Sequence, residues 1–414
     1  MTETADLVII GGGIMGLSIA YQVARRSNLS VVVVEKGAGL GEGSTGGSAA
    51  ITRQRYSHAE NIRMSRDGNV VFRNWAEYTG LTEPRAEYHD PGVLWMMAAP
   101  PDAVAADCAR MVAEGVDAVV VGPEDVHARF PALATCLQPF DLTGEVPHEC
   151  ADGEAFLLER DAGYFDATGA LEDVAEAARL AGVDLRMRIA VTDIVVAGGR
   201  ATAVMLSDGT RLGAGQIVNA AGPWCGPINA MAGLEWKWNI VPVRVQVIYR
   251  ELPDDVPRPL PVVGDATTGI YFRPESGGQQ LLMGSVLEED EQEVVADPDD
   301  YRQVADRSFI DSKIHALHHR IPSLPHRGQV GGMASLYTIN HDDVHPVIGP
   351  TPIAGFAVVN GFSGHGFKES QMVGSMVAQW LTGGTRASFD TDVAMEFFSI
   401  DREPIAIEAK TVLA

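Results

Sequence analysis

Cysteine is scarce in this sequence, and long apolar runs and a basic leader are missing. The four cysteines, Cys108, Cys136, Cys150 and Cys225, show neither a Cys-x-x-Cys pair nor another familiar metal spacing. We therefore interpret them as reduced thiols and expect no metal site. No apolar run reaches the ~20 residues of a membrane span, and no positively charged segment precedes Leu7. We accordingly expect a cytoplasmic protein without a membrane span or a signal peptide.

Basic residues are in the minority. The chain has 31 lysines and arginines against 55 aspartates and glutamates, and its formal net charge is −24. This charge would repel phosphates, which argues against nucleic acid as a partner. It would suit a basic electron-accepting protein, although solubility alone explains it more simply. The 414 residues are enough for a large core spread over two or three domains.

A glycine-rich turn near the N-terminus is the most informative motif. The sequence GGGIMG lies between the apolar runs 7–10 and 31–34, which are typical of buried parallel strands. Gly11 allows a tight turn, Gly13 lets a pyrophosphate approach the backbone, and Gly16 lets the following helix pack against the strand. The second run ends in an acidic residue, where a carboxylate can accept hydrogen bonds from a ribose. The unit predicts a bound dinucleotide.

The rest of the chain alternates between two kinds of strand. Residues 216–221 and 356–359 resemble further buried parallel strands, whereas 241–249 alternates as an antiparallel strand does. This interleaving predicts an α/β (α+β) fold, with a discontinuous Rossmann-like cofactor-binding domain and an inserted antiparallel-sheet substrate domain. The expected limits are 1–85, 150–222 and 330–395 for the first domain, 86–149 and 223–329 for the second, and 396–414 for a C-terminal tail.

Four segments carry a resemblance to a known family. They are the glycine-turn unit, GEGSTGGSAAITRQRY (41–56), IVNAAGPW (217–224) and VVNGFSGHGFKES (358–370). The chain resembles the FAD-dependent amine and amino-acid oxidoreductases of the D-amino-acid oxidase (DAO) superfamily, and within it the sarcosine oxidase-like branch. A nicotinamide cofactor is the rival that the first motif leaves open. The second and fourth segments favour FAD.

The resemblance implies a set of cofactor-binding residues. A helix starting in the fourth segment would aim its N-terminus at the flavin and stabilise the negative charge that builds there as hydride arrives. The implied residues are Gly11, Gly13, Ile14, Met15, Gly16, Glu35, Lys36, Gly43, Ser44, Thr45, Val191, Ala221, Gly222, Trp224, Gly364, His365, Gly366, Phe367 and Lys368.

Two cations and two tyrosines match substrate-binding positions of the branch. Arg53 and Lys368 would hold a substrate carboxylate, which needs fixed positive charge in a mostly apolar pocket. Arg55 is the alternative to Arg53. Tyr271 and Tyr337 match aromatic positions of the pocket, and the related glycine oxidases carry a carboxylate-binding arginine at the second of these.

The chain departs from sarcosine oxidases at three matching positions. Ser335 stands where they tether FAD through a cysteine, so we expect non-covalent FAD. Leu282 stands where they carry a lysine that promotes reaction with oxygen, which raises the expectation of a dehydrogenase. Val286 replaces a pocket histidine, which favours a bulkier N-alkyl or cyclic amino acid over sarcosine.

The sequence thus predicts oxidation of a carboxylate-bearing secondary or tertiary amine. Hydride would pass to flavin N5 and water would hydrolyse the iminium ion. No histidine or carboxylate stands out as a general base, and His345 and His365 are equally explained as structural residues. Two alternatives stay open: a deaminating glycine or D-amino-acid oxidase or dehydrogenase, and a flavoprotein subunit or assembly factor acting within a complex.

Overall fold

The computed structural model describes residues 3–139, 141–143 and 145–407. Its strands are β1 (Glu3–Ile10), β2 (Val31–Val34), β3 (Tyr88–His89), β4 (Val93–Met96), β5 (Ala118–Val121), β6 (Phe156–Glu159), β7 (Tyr164–Phe165), β8 (Asp184–Arg186), β9 (Val191–Ala197), β10 (Arg200–Leu206), β11 (Arg211–Asn219), β12 (Ile240–Glu251), β13 (Val262–Asp265), β14 (Ile270–Glu275), β15 (Gln280–Ser285), β16 (Val330–Asn340), β17 (Val347–Pro350) and β18 (Phe356–Asn360). Its α-helices are α1 (Ile14–Ala24), α2 (Ala59–Arg73), α3 (Trp75–Thr79), α4 (Pro101–Ala113), α5 (Pro123–Arg129), α6 (Ala167–Leu180), α7 (Cys225–Met231), α8 (Arg307–Arg320) and α9 (Gly366–Leu381).

The first sheet collects strands from three distant parts of the chain. Its order is β17-β18-β11-β1-β2-β8, and β10 and β9 continue from β11. The central pairs from β18 to β8 are parallel, because helices and crossovers separate these strands along the chain. Helices α1, α6 and α9 cover one face, with Leu17, Val174 and Val373 in a shared core. Both faces of the apolar runs 7–10 and 31–34 are therefore buried.

The second sheet has the order β16-β12-β15-β14-β13-β4-β6-β5. All its pairs are antiparallel except β13 with β4. The alternation predicted over 241–249 is the long strand β12, which pairs Val243 with Tyr337 and Val245 with Ser335. Helix α8 packs on this sheet through Phe309 and Leu317.

The predicted fold class is confirmed, with a discontinuous parallel sheet and a second, mostly antiparallel sheet. Two strands differ from the predicted division. Residues 156–159 and 330–340 were expected in the first domain, but β6 pairs with β4 and β5, and β16 pairs with β12. Pairing partners are set by long-range hydrogen bonds that a local pattern does not reveal, and the domain limits themselves stay a prediction.

Helix length and polarity were also compared with the needs of a bilayer. Within the described ranges, no helix combines the length and the apolar character that crossing a membrane would require.

Candidate active site

A large cleft of about 1280 Å³ lies between the two sheets. It opens at the carboxyl ends of the parallel strands, where Ile10, Val34, Ala220 and Asn360 line it. This edge of an open α/β sheet is the usual place for a ligand. The cleft exceeds the roughly 300–1,000 Å³ of an ordinary small-molecule pocket. It therefore has room for an extended cofactor together with a small substrate.

The glycine turn brings strand and helix into close contact at one end of the cleft. Gly11 has φ +110°, and a Cβ there would lie 2.6 Å from the carbonyl oxygen of Ala220. A Cβ on Gly16 would lie 2.0 Å from the carbonyl oxygen of Gly11. Neither position has room for a side chain. The turn thus exposes the backbone of Gly13 to the cleft at the start of α1.

Two side chains fix the loops around this turn. The Glu35 carboxylate accepts hydrogen bonds from the backbone N–H of Gly12 (2.8 Å) and of Gly37 (2.6 Å). The Thr45 hydroxyl accepts one from the backbone N–H of Ile14 (3.2 Å), in the first turn of α1. The loop after β2 is thereby tied to the helix N-terminus that borders the cleft.

The loop 296–299 also borders the cleft and contacts Lys36 and Trp224 through Asp299. Residues 296–299 line the cleft, and Asp299 forms an ion pair with Lys36. The Trp224 indole N–H also donates to Asp299 (3.0 Å), and the Lys36 ammonium lies 4.2 Å from the centroid of the Trp224 ring. These contacts could not be predicted from the sequence, because residues 296–299 form a polar loop without a motif.

Most residues predicted to bind the cofactor line this cleft. The exceptions are Gly16, which packs behind the turn, and His365, which is fully buried with its ring 5.2 Å from that of Tyr56. The assigned role of each residue stays a prediction.

Besides Lys36, which pairs with Asp299, the cations among the described lining residues are Arg53 and Lys368. Both are buried, with exposures of 4% and 6%. The Arg53 guanidinium lies 4.1 Å from the centroid of the Tyr56 ring and donates to the carbonyl of Arg55. Arg55 itself does not line the cleft and pairs with Asp107 (2.5 Å). Of the two arginines that the sequence left open, Arg53 is the one that faces the cleft.

Burial changes the proton affinity of Lys368. Loss of solvation and the nearby Arg53 guanidinium lower the pKa of Lys368 to about 7. Its ammonium donates to the carbonyl of Gly364 (3.5 Å), and the carboxyls of Glu369 and Glu159 act in the opposite direction. A bound carboxylate would restore the ammonium form, since an opposite charge favours it.

Glu159 is a buried carboxylate near Arg53 that sequence reasoning missed. Its carboxylate accepts hydrogen bonds from the indole N–H of Trp95 (2.7 Å) and the backbone N–H of Gln54 (2.7 Å). Burial raises the pKa of Glu159 to about 7, although these hydrogen bonds and Arg53 oppose that rise. The available signal in the sequence was an acidic residue at the end of the apolar run in FLLE, which is a buried strand.

A second missed carboxyl lies among the predicted substrate tyrosines. Glu291 is 7% exposed, lines the cleft and accepts a hydrogen bond from the Tyr337 hydroxyl. Burial raises the pKa of Glu291 to about 7. Tyr271 also lines the cleft, and burial raises its pKa. Glu291 ends the acidic run EEDE, which the sequence presents as a solvated surface.

The family described as "DAO: FAD dependent oxidoreductase" matches residues 6–380. The chain belongs to this family. The predicted DAO resemblance and the predicted FAD-dependent oxidoreductase activity are thereby confirmed.

Several DAO-family proteins are similar along most of the chain. The Xenopus laevis FAD-dependent oxidoreductase domain-containing protein 1 is 28% identical over 415 residues, covering 92% of this chain and 80% of that protein. The mitochondrial dimethylglycine dehydrogenase of Rattus norvegicus is 26% identical over 397 residues, covering 92% of this chain and 43% of that protein. The crystal structure of L-proline dehydrogenase from P. horikoshii has the same fold, with a TM-score of 0.79, 23% identity, and coverage of 97% of this chain and 98% of that one.

The cleft fits the FAD that this DAO-family chain requires. The N-termini of α1 and α9 both border it, through Gly13 and Ile14 for the first helix and Gly364 and Gly366 for the second. Backbone N–H groups at such ends suit a pyrophosphate or a developing negative charge. The glycine turn removes the side chains that would block the approach of a phosphate.

Two of the three departures from sarcosine oxidases lie in the cleft. Ser335 and Val286 line it. Leu282 does not; it is 2% exposed and pairs across the sheet with Tyr249 and Arg273. We expected Leu282 to replace a lysine beside the flavin. The position of Leu282 outside the cleft lining does not support that expectation.

We expect acid to release the FAD from this protein. Among the described cleft-lining residues there is no cysteine and no histidine, and the Ser335 hydroxyl is a poor nucleophile compared with a thiolate. Trichloroacetic acid precipitation should give a yellow supernatant and a colourless pellet. Flavin absorbance that stays with the washed pellet would contradict non-covalent binding.

Proposed function

We propose that this protein oxidises the C–N bond of a carboxylate-bearing secondary or tertiary amine, such as an N-methyl or cyclic amino acid. The observation that carries the proposal is the pair of buried cations, Arg53 and Lys368, facing the same cleft as Tyr271 and Tyr337. Two positive charges at one cleft suit an anionic ligand, and a substrate carboxylate is such a ligand. The similarity to dimethylglycine dehydrogenase supports the substrate class.

Arg53, Lys368 and Val286 would each contribute differently to substrate binding. Arg53 offers a fixed planar donor that stays charged at any physiological pH, and Lys368 adds a charge that the substrate itself can induce. Val286, 4% exposed, keeps the lining apolar where an N-alkyl group or a ring would lie. Bound FAD supplies the hydride acceptor. The chain's contribution is to hold the substrate in place and to exclude water.

Glu291 is the candidate proton acceptor. An amino acid carries an ammonium at neutral pH, and hydride cannot leave the adjacent carbon until the nitrogen has a free lone pair. With a pKa of about 7, Glu291 is deprotonated in much of the population and can take that proton. The hydrogen bond from Tyr337 holds the carboxylate toward the cleft.

The reaction products test the substrate class. With an artificial electron acceptor, an N-methyl amino acid should give formaldehyde and the demethylated amino acid in equal amounts, because water hydrolyses the iminium ion. A deaminating enzyme would instead release ammonia and a keto acid from glycine or a D-amino acid. Ammonia without formaldehyde would overturn the proposal, and so would a flavin that no amine reduces.

Lys368 predicts a pH dependence of carboxylate binding. Its ammonium form is present below about pH 7 and is lost above it. The Kd of cyclopentanecarboxylate, which has no amine and stays ionised, should therefore rise with pH, by up to about tenfold per unit above 7. Titration of the flavin spectrum measures this Kd. Lys368→Met should bind weakly at every pH without the slope, and an equal slope in that variant would contradict the assignment.

An acceptor other than oxygen is the second point that we propose. Among the described cleft-lining residues, Arg53 and Lys368 are cations that a substrate or product carboxylate would neutralise, and Lys36 is paired with Asp299, so we expect little uncompensated positive charge in the lining to stabilise superoxide. We expect the reduced protein to react with air far more slowly than with a dye such as phenazine methosulfate. Stopped-flow reoxidation measures both rates. Reaction with air as fast as turnover would make the protein an oxidase.

A further inference from the structure

Three side chains with sulfur or nitrogen atoms that could bind a metal lie outside the cleft, in the segment between α5 and β6. Cys136, His148 and Cys150 bring one ligand atom each within 4.8 Å of one another. Cys136 is buried, His148 is half-buried and Cys150 is exposed. None of the three lines the cofactor cleft, so the proposed amine oxidation makes no use of them.

The orientation of His148 suits a metal ligand. Its Nε2 lies 3.3 Å from the Cys136 sulfur, and its Nδ1 lies 3.1 Å from the carbonyl oxygen of Pro139. A carbonyl can only accept, so Nδ1 carries the hydrogen and the Nε2 lone pair faces the sulfur. A backbone carbonyl on the outer nitrogen is a common arrangement for metal-binding histidines.

The backbone holds the two cysteine-bearing arms together without any metal. Leu137 N–H donates to the carbonyl of Ala151 (3.2 Å), and Gly153 N–H donates to that of Thr135 (2.9 Å). The Arg320 guanidinium also donates to the carbonyl of Cys136 (3.0 Å). These contacts place the ligands in advance, which lowers the entropy lost on binding.

We propose that Cys136, His148 and Cys150 bind one Zn²⁺ ion, with the fourth position open to water. Two thiolates and an imidazole match the preference of zinc and disfavour magnesium and calcium, which take oxygen ligands. The exposed side of Cys150 leaves space for the fourth ligand. On binding, each thiol releases its proton to solvent, and the ion closes the loop between residues 136 and 150. The sequence showed no such site, because eleven residues separate Cys136 from His148.

Metal content of the FAD-loaded chain tests this site. After dialysis against Zn²⁺ and then metal-free buffer, mass spectrometry should find about one zinc per chain. Cys136→Ser and Cys150→Ser should each weaken binding by more than the roughly 10–100-fold typical of losing a supporting partner. Cys108→Ser removes a buried thiol elsewhere and should change nothing. The flavin spectrum of each variant shows whether it has folded.

Cobalt gives a readout that needs no variant. Co²⁺ bound to the wild-type protein should show thiolate charge-transfer bands and d–d bands at wavelengths longer than the flavin absorption. The proposal fails if wild-type protein retains no zinc, if Cys136→Ser retains it fully, or if cobalt shows no thiolate bands. A Cys136–Cys150 disulfide in protein kept under reducing conditions would also overturn it.

Discussion

Replacing Arg53 with methionine is expected to lower kcat/KM for an N-methyl or cyclic amino acid by about 10²–10⁴-fold, since removal of one partner of a buried ion pair costs about 3–5 kcal/mol. The loss arises because the substrate carboxylate would enter the cleft with only Lys368 opposite it. Methionine keeps most of the volume beside Tyr56, so the packing of the segment 41–56 should survive. Steady-state kinetics with a dye acceptor measures the effect.

Arg55→Met is the matched control for this change. Arg55 is two residues away, pairs with Asp107 and does not line the cleft. Its variant should keep kcat/KM close to that of the wild type, because Arg55 does not face the cleft. An amine without a carboxylate should respond little to either variant. If Arg53→Met slowed the carboxylate and the carboxylate-free amine equally, a carboxylate-binding role would be excluded.

Replacing Glu291 with glutamine is expected to lower kcat/KM at pH 8 by about 10²–10³-fold, within the range of a positioned general base. Glutamine has the same shape and can still accept from Tyr337, but it takes no proton. Alongside the alkaline limb that deprotonation of Lys368 produces, wild-type kcat/KM should have an acid limb that rises with pH through about 7, where Glu291 loses its proton. The variant should lack this acid limb. A pH–rate profile of both proteins measures the difference.

Glu289→Gln provides the control within the same acidic run, EEDE. Glu289 is exposed, whereas Glu291 faces the cleft. The control should keep the rate and the pH profile of the wild type. If Glu291→Gln kept the acid limb of the kcat/KM profile near pH 7, another group or the substrate would be responsible for that limb, and Glu291 would be a binding residue at most.

The glycine turn shows what local sequence can reveal. The constraint on Gly11 and Gly16 is a close approach of backbone atoms within one βαβ unit, so the residue pattern expresses it directly. Local alternation also predicted strand β12, although the structure buries residues on both of its faces, such as Val243 and Ile248. The family motifs then extended these local signals to FAD, and the family match confirms them.

The charged groups show where sequence reasoning ends. Arg53 and Arg55 are equivalent in sequence, and only the distant Asp107 distinguishes them, by holding Arg55 away from the cleft. Glu291 lies in a run of acidic residues whose inward member depends on how the loop after β15 folds against β16. Strands β6 and β16 joined the second sheet for a similar reason. Each of these outcomes depends on contacts between residues far apart in the chain.

Anaerobic reduction of the bound flavin by a matched pair of amines tests the proposed function most directly. Proline and pyrrolidine share a ring and a secondary amine, and only proline carries a carboxylate. An N-methyl amino acid and the corresponding methylamine make a second pair. We expect the carboxylate-bearing member of at least one pair to bleach the flavin absorbance at low millimolar concentration, and its partner to leave it unchanged. Equal bleaching by both members of a pair, or bleaching by glycine and D-alanine alone, would contradict a site built on Arg53 and Lys368 for secondary and tertiary amino acids.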